Sequence, residues 1–302
     1  MLIPLFNHIL KLLFFCFFLF SLAFSHSQKL VVLGTLQDGG SPHMNCDKDC
    51  CKEKKNNDFV VSLGIYDENQ MYFFDCSPDF VFQHNYLKSI SKKDRFSIFL
   101  THAHMGHYSG LIHLGRESAN TKGVPVYSMP KMSSFLENNG PWSQLVKLKN
   151  IIIKPIEDQQ RLSVSKNLVV TPILVPHRDE FSETVGYLIK GKEKSALYIP
   201  DIDKWSIWDK NIIDIIKEIN YAFIDATFFS GDEINRPIAE IPHPSILETV
   251  DLLSDLSLKD KNKIFFIHLN HTNPARNKNF IKRIQIENQG FNFAEFGMVF
   301  KL

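Results

Sequence analysis

The stretch Thr101-His102-Ala103-His104-Met105-Gly106-His107 places three imidazoles at i, i+2 and i+5. Imidazole is the commonest side-chain metal ligand, and near pH 7 it is neutral enough to offer a lone pair. An extended H-x-H segment points both rings to one side. A turn through Met105-Gly106 can then bring His107 round to a second ion. The chemistry open to such a set is metal-assisted hydrolysis: a held divalent ion lowers the pKa of bound water toward about 7 and polarises a phosphoryl or carbonyl oxygen. The bland alternative is a surface histidine cluster with adventitious affinity. The apolar run before the motif and the packable run after it argue for a built loop between strand and helix.

Those flanking elements read as follows. Residues 96–100 form a buried strand, and 107–116 form a helix with Gly110, Leu111 and Leu114 on a packable side. Further strands are expected at 29–34, 59–66, 71–74, 124–128, 151–154, 168–175, 185–190, 196–199, 221–224 and 264–267. Helices are expected at 78–87, 205–218, 244–256 and 274–287, the third with Ile246, Val250, Leu253 and Leu256 on one face. No internal repeat and no Pro/Gly/Ser linker interrupts the series. The order predicts two sheets covered by helices in a single α/β layered domain over 28–302. Asp75, His102, His177, Asp201 and His268 each stand just past an apolar run. Alone, an Asp in that position is usually a helix cap; as a set, these groups can converge on one edge of a sheet sandwich.

This spacing resembles the metallo-β-lactamase-fold hydrolase superfamily, whose mark is H-x-H-x-D-H followed by a distant His, a bridging Asp and a last His. The opening Val32-Leu33-Gly34-Thr35, the cysteine loop behind it and the segment Ile267-His268-Leu269-Asn270-His271-Thr272-Asn273-Pro274 narrow the resemblance. They look like the branch that contains pyrroloquinoline quinone biosynthesis protein B and the cyclic phosphodiesterase of the carbon–phosphorus lyase pathway. The resemblance implies a four-layer αβ/βα sandwich. It implies a first metal held by His102, His104 and His177, a second held by His107 and His268, and Asp201 bridging them. Asp75 matches the acid that holds the metal loop from behind. The departure is Gly106, which stands where the family carries a ligand Asp. The ligand count then predicts one firmly held ion and a second that is easily stripped, with Gly106→Asp raising second-site occupancy if the turn accepts a side chain.

The same resemblance implies a structural zinc site at Cys46, Cys50, Cys51 and His271. Three thiolates and an imidazole make a closed tetrahedral set. Adjacent cysteines diverge, so Asp47 or Asp49 could replace one thiolate; the competing reading is a disulfide, which export would permit. His243, between two prolines, either contacts substrate and protonates a leaving group or caps the following helix. Arg178 and Glu180 either line the pocket or form a surface ion pair. Lys204, Trp205 and Trp208 either wall the pocket or, for the tryptophans, anchor the core.

The first residues carry a separate message. Lys11, an apolar run from Leu12 to Phe24 and the small or polar residues after it read as a signal peptide over 1–27, cleaved between about Ser25 and Gln28. An exported, periplasmic or secreted protein is therefore expected, with no membrane span after cleavage; an uncleaved anchor is the alternative. A formal net charge of +1 and the lack of a basic tract argue against a nucleic-acid surface. The leading expectation is a metal-dependent hydrolase of a small phosphodiester or related ester, with zinc, manganese or iron as the ion and Asp201 and His243 as catalytic residues. The alternatives are a metal-dependent oxygenase or cofactor-maturation protein and a non-catalytic metal-binding module.

Overall fold

The computed structural model describes residues 28–52, 58–233, 237 and 240–302. The expected signal peptide lies outside them. Among the described residues, no helix is long and apolar enough to cross a membrane.

The first half of the chain builds β1 (Lys29–Gly34), β2 (Ser62–Tyr66), β3 (Met71–Phe74), β4 (Phe96–Phe99), β5 (Val124–Ser128) and β6 (Ile151–Pro155). The second builds β7 (Leu162–Ser165), β8 (Leu168–Leu174), β9 (Val185–Lys190), β10 (Ser195–Ile199), β11 (Tyr221–Asp225), β12 (Ile264–Ile267), β13 (Asn292–Phe293) and β14 (Val299–Lys301). Helices α1 (Phe80–Ser91), α2 (Met105–Tyr108), α3 (Pro130–Asn138), α4 (Trp142–Lys147), α5 (Ile212–Glu218), α6 (Ile246–Leu252), α7 (Leu258–Lys261) and α8 (Ile281–Asn288) are distributed among them. Two sheets result, in the orders β14-β1-β2-β3-β4-β5-β6 and β13-β12-β11-β10-β9-β8-β7. The last strand, β14, crosses back to the first sheet and pairs with β1.

Strand periodicity makes the layers. In β1, Leu30 and Val32 face the core between the sheets, whereas Val31 and Leu33 face α1 and its neighbours. In β10, Ala196 and Tyr198 point to the inter-sheet core, and Leu197 and Ile199 to the helices outside the second sheet. Strands buried on both faces read as continuous apolar runs rather than alternating ones, which is why they were legible. The result is the four-layer αβ/βα sandwich.

Several expected elements differ in extent. The segment expected as one helix over 107–116 is α2 followed by a 3-10 turn, Ser109–Leu114. Gly110 donates to Cys76 O, and a Cβ there would fall 2.1 Å from Ser77 O, so close packing redirects the chain. The helix expected over 205–218 splits into a 3-10 turn, Trp205–Ile207, and α5, because the Asn211 side chain caps a new start at Ile213 N. Likewise 274–287 divides into a 3-10 turn, Pro274–Arg276, and α8. The edge strands β7, β13 and β14 and helices α3, α4 and α7 went unforeseen, most of them being short.

Topology explains why the site lies at one edge. β3 runs parallel to β4, and β10, β11 and β12 are mutually parallel. β8 and β10 each run antiparallel to β9, so they share a direction. β1 and β3 each run antiparallel to β2. The residues just past β1, β3, β4, β8, β10, β11 and β12 therefore meet where the two sheets approach.

Candidate metal centre

The first sheet contributes a compact unit. Asp75, just past β3, accepts from Thr101 N at 2.9 Å and Thr101 Oγ1 at 2.8 Å through Oδ1. Its Oδ2 takes His107 Nδ1 at 2.8 Å and the Tyr198 hydroxyl from the facing sheet at 3.0 Å. A hydroxyl has one proton to give. Having given it to Asp75, Thr101 accepts at 3.0 Å from His102 Nδ1. The network thus fixes His102 and His107 with bare Nε2 atoms, the tautomer suited to binding an ion. His104 is held the other way round: its Nε2 meets Glu180 Oε2 at 3.0 Å, and its Nδ1 faces His102 Nε2 at 2.7 Å. Asp75 (φ +69°) and His268 (φ +65°) both sit in left-handed backbone. For non-glycine residues that costs about 1–3 kcal/mol and persists where surrounding structure demands it.

The second sheet repeats the device. Asp225, ending β11, accepts through Oδ1 from Thr227 N at 2.9 Å and Thr227 Oγ1 at 2.7 Å. Its Oδ2 takes His243 Nδ1 at 2.8 Å. Thr227 Oγ1 then accepts at 2.8 Å from His268 Nδ1, which again leaves Nε2 bare. Asp225 and Thr227 were missed by sequence reading. The signal that would have found them is the one used elsewhere, a polar residue ending an apolar run.

Asp201, past β10, lies at the middle. Its Oδ2 is 2.9 Å from His107 Nε2 and 3.2 Å from His268 Nε2, and its Oδ1 is 3.7 Å from His177 Nε2. His102, His104 and His177 present ring nitrogens within 4.8 Å of one another, and ring nitrogens of His102 and His107 lie equally close to each other and to a carboxylate oxygen of Asp201. The six residues expected to hold the catalytic ions, His102, His104, His107, His177, Asp201 and His268, lie together here.

A further group joins them. Asp38, on the loop beyond β1, places Oδ1 3.1 Å from His107 Nε2 and 4.0 Å from His268 Nε2. The expectation that the second site lacks its own carboxylate is therefore corrected. So is the expectation for Gly106→Asp. A Cβ at Gly106 would fall 2.1 Å from Asp38 Oδ1 and 2.6 Å from Asp38 Cα, so the position has no room for a side chain. Gly106 lies within α2 and not in left-handed backbone, so space and not conformation excludes it.

The donor set fits divalent ions. Among the described residues, Asp38 Oδ1, His107 Nε2, both ring nitrogens of His177, Asp201 Oδ2 and His268 Nε2 are buried without a hydrogen-bond partner. Buried polar atoms ordinarily have one. Here lone pairs face carboxylate oxygens and, between His102 and His104, face each other. Positive charge in their midst reconciles that arrangement. The charge states agree. Burial, reinforced by neighbouring histidines, holds His102 well below the ordinary value and His177 down to about 4, so both are neutral ligands. Burial works against ionising Asp38 and Asp201, yet the surrounding histidines outweigh it and hold both well below the carboxylate range. His107 is held high despite its burial, because Asp75, Asp201 and Asp38 surround it, so at its Nε2 a proton competes with an ion for the same negative surroundings.

The other expected residues divide. His243 does not cap α6: Ser245 does, in a reciprocal capping box with Glu248. The His243 ring instead stands 5.3 Å from His177 and 5.9 Å from His268, at the rim of the cluster. Glu180 both holds His104 and lies 3.8 Å from Arg178. Trp205 and Trp208 are core anchors, donating to Thr249 Oγ1 and Leu174 O, and Lys204 is tied to His243 O and Glu248.

In the cysteine loop, Cys46, Cys51 and His271 bring their ligand atoms within 4.8 Å of one another. The four described cysteines are free thiols. Cys50 Sγ lies 3.8 Å from Cys51 Sγ, its thiol pushed up to about 11 by burial and by Cys51 and Cys46. Asp49 turns outward to Lys52 and Asp47 is exposed, so neither replaces a thiolate. His43, unforeseen, stacks on His271 at 4.2 Å and donates its backbone N–H to Cys51 Sγ.

Comparison with known proteins agrees with this architecture. The chain is 23% identical over 309 aligned positions to coenzyme PQQ synthesis protein B of Acinetobacter baylyi, covering 90% of this chain and 99% of that protein. It is equally similar to the protein of that name from Klebsiella pneumoniae, with 90% and 97% coverage. Zinc-bound PqqB from Methylobacterium extorquens superposes with a TM-score of 0.75 at 18% identity, over 91% of this chain and all of that one. A diphosphatase of the PhnP family superposes with a TM-score of 0.66 at 21% identity, over 91% and 97%. A profile described as the beta-lactamase superfamily domain matches residues 71–269, a span that runs from β3 through His268 and holds all but one of the convergent side chains, and the chain accordingly belongs to that superfamily.

Proposed function

We propose that this chain is a metal-dependent hydrolase of a small phosphodiester or related ester. The observation that carries the reading is the convergence of bare imidazole nitrogens on the buried carboxylate of Asp201. His102, His104 and His177 would hold one divalent ion and His107 and His268 another, with Asp201 between them; zinc is the first choice, and manganese or iron suits the same donors. Such ions, when bound, supply an ionised water near neutral pH and charge to set against the developing oxyanion. The rest falls to the protein. Asp75 and Asp225 fix ring orientation and tautomer. His243 gives its Nδ1 proton to Asp225, so Nε2 is the atom free for substrate. Asp225 and Asp201 hold its pKa up against burial, which favours the protonated ring that a general acid needs. As water oxygen bonds to phosphorus and the ester P–O bond breaks, that Nε2 proton passes to the leaving oxygen.

Two further assignments belong to the same reading. Cys46, Cys51 and His271, with Cys50 beside them, form a structural zinc site. The N-terminal pattern at 1–27 directs the chain out of the cytoplasm.

A second reading, maturation of a quinone cofactor, is favoured by similarity to PQQ synthesis protein B along that protein's nearly full length. The zinc- or manganese-loaded chain should hydrolyse a phosphodiester such as bis(p-nitrophenyl) phosphate, and Asp201→Asn should reduce the rate to background. Metal binding without turnover on a phosphodiester and ester panel would overturn the hydrolase reading. Iron content with oxygen consumption would then support the second.

A further inference from the structure

We infer that Asp38 is the carboxylate ligand of the second ion, moved from the histidine stretch to the loop beyond β1, and that Gly106 is glycine because this carboxylate occupies its side-chain space. The inference deepens the two-ion reading above and rests on it.

Three observations carry it. First, the two oxygens of Asp38 are treated differently. Gln37 Nε2 donates to Oδ2 at 3.1 Å, whereas Oδ1 is buried, has no hydrogen-bond partner and lies beside the bare Nε2 of His107. One carboxylate oxygen fixed from behind and the other left open is how a protein aims a ligand. Second, the loop is zipped in place by backbone. Gln37 N donates to Leu269 O at 3.0 Å, Leu269 N to Thr35 O at 2.8 Å, and Leu36 N to Phe59 O at 3.0 Å. Leu269 follows His268 directly, so one backbone pairing locks the carboxylate to the ligand it must accompany. Third, the two positions exclude each other. With Asp38 Oδ1 2.1 Å and Asp38 Cα 2.6 Å from where a Cβ at 106 would sit, a side chain at 106 and this placement of the Asp38 carboxylate cannot coexist.

The test is a titration of chelator-stripped full-length protein with zinc, competed against a chromophoric chelator, with ions counted by mass spectrometry. Wild type should take two ions of comparable affinity at the histidine cluster, besides any ion in the cysteine loop. Asp38→Asn keeps the size and hydrogen bond of the side chain but loses charge. It should weaken the second ion by at least about 10–100-fold while the His102/His104/His177 ion is unchanged. Asp38→Ala should do the same. Gly106→Ala, which removes no donor, should match them by displacing the Asp38 loop. Circular dichroism confirms that each variant is folded. Two ions at wild-type affinity in folded Asp38→Asn and Asp38→Ala would overturn the inference, as would a wild type that binds a single ion at the cluster. A wild type that binds none there would overturn the two-ion reading itself.

Discussion

The two sheets close their halves of the centre with matching parts drawn from very different lengths of chain. In the first, a strand-end carboxylate (Asp75), a threonine (Thr101) and two imidazoles (His102, His107) come from the ends of adjacent parallel strands, three of the four within seven residues. In the second, Asp225 ends β11, Thr227 follows it, His243 precedes α6, and His268 follows β12. The hydrogen-bond pattern is the same: aspartate to threonine N–H and hydroxyl, the other oxygen to one His Nδ1, the threonine to another. A fixed imidazole tautomer needs an acceptor behind it, and either a contiguous motif or a set of separate loops meets that need. The halves differ in what the outer imidazole does. His107 turns its bare nitrogen to the ions, whereas His243 stands at the rim.

That difference predicts unequal responses to the same substitution. Asp75→Asn should weaken ion binding by about 10–100-fold, because His107 loses the group that fixes its tautomer. Asp225→Asn should spare the ions more and alter the rate profile. Asp225 raises the pKa of His243, and a general acid fails as pH rises through its pKa. Removing the charge lowers that pKa, so the alkaline limb of the profile should move to lower pH. Equal loss of metal in both variants, with an unmoved profile, would make the halves equivalent and remove His243 from proton transfer.

A smaller effect should follow from the threonines. Thr101→Val and Thr227→Val each leave the aspartate its backbone N–H but remove the hydroxyl that orients one imidazole. A cost of about 1–3 kcal/mol in stability is expected for each. Thermal melts of the metal-free and loaded proteins check this, and a neutral outcome at either site would show that its partner imidazole is held by packing instead.

The smallest effect on the centre should come from the cysteine loop. Cys46→Ser or His271→Ala should lower the melting temperature and remove about one metal per chain while both halves stay filled. Metal analysis beside activity checks it. A disulfide involving Cys50 or Cys51 in the native protein would overturn the zinc assignment.

How much of this was legible follows from the same contrast. The layered fold was readable because strands buried on both faces are continuous apolar runs, and β1, β3, β5, β9 and β12 fall where expected. The histidine stretch was readable because its ligands are close in sequence. Asp225 and Thr227 were not, since an Asp at a strand end is commonplace and its partner His243 lies 18 residues on. Asp38 is the instructive miss. The rule that polar groups past strand ends converge was applied to β3, β4, β8, β10 and β12 but not to β1, whose direction is known only once β2 is seen to pair antiparallel with both β1 and β3. A glycine in place of a ligand signals either loss of a site or a neighbour filling the space, and sequence alone cannot separate the two.

The most direct test of the account is anomalous diffraction at the zinc edge from zinc-loaded crystals. Two peaks are expected inside the histidine cage on either side of the Asp201 carboxylate, the one nearer His107 and His268 lying against Asp38. A single peak at His102, His104 and His177, with Asp38 turned away, would contradict it.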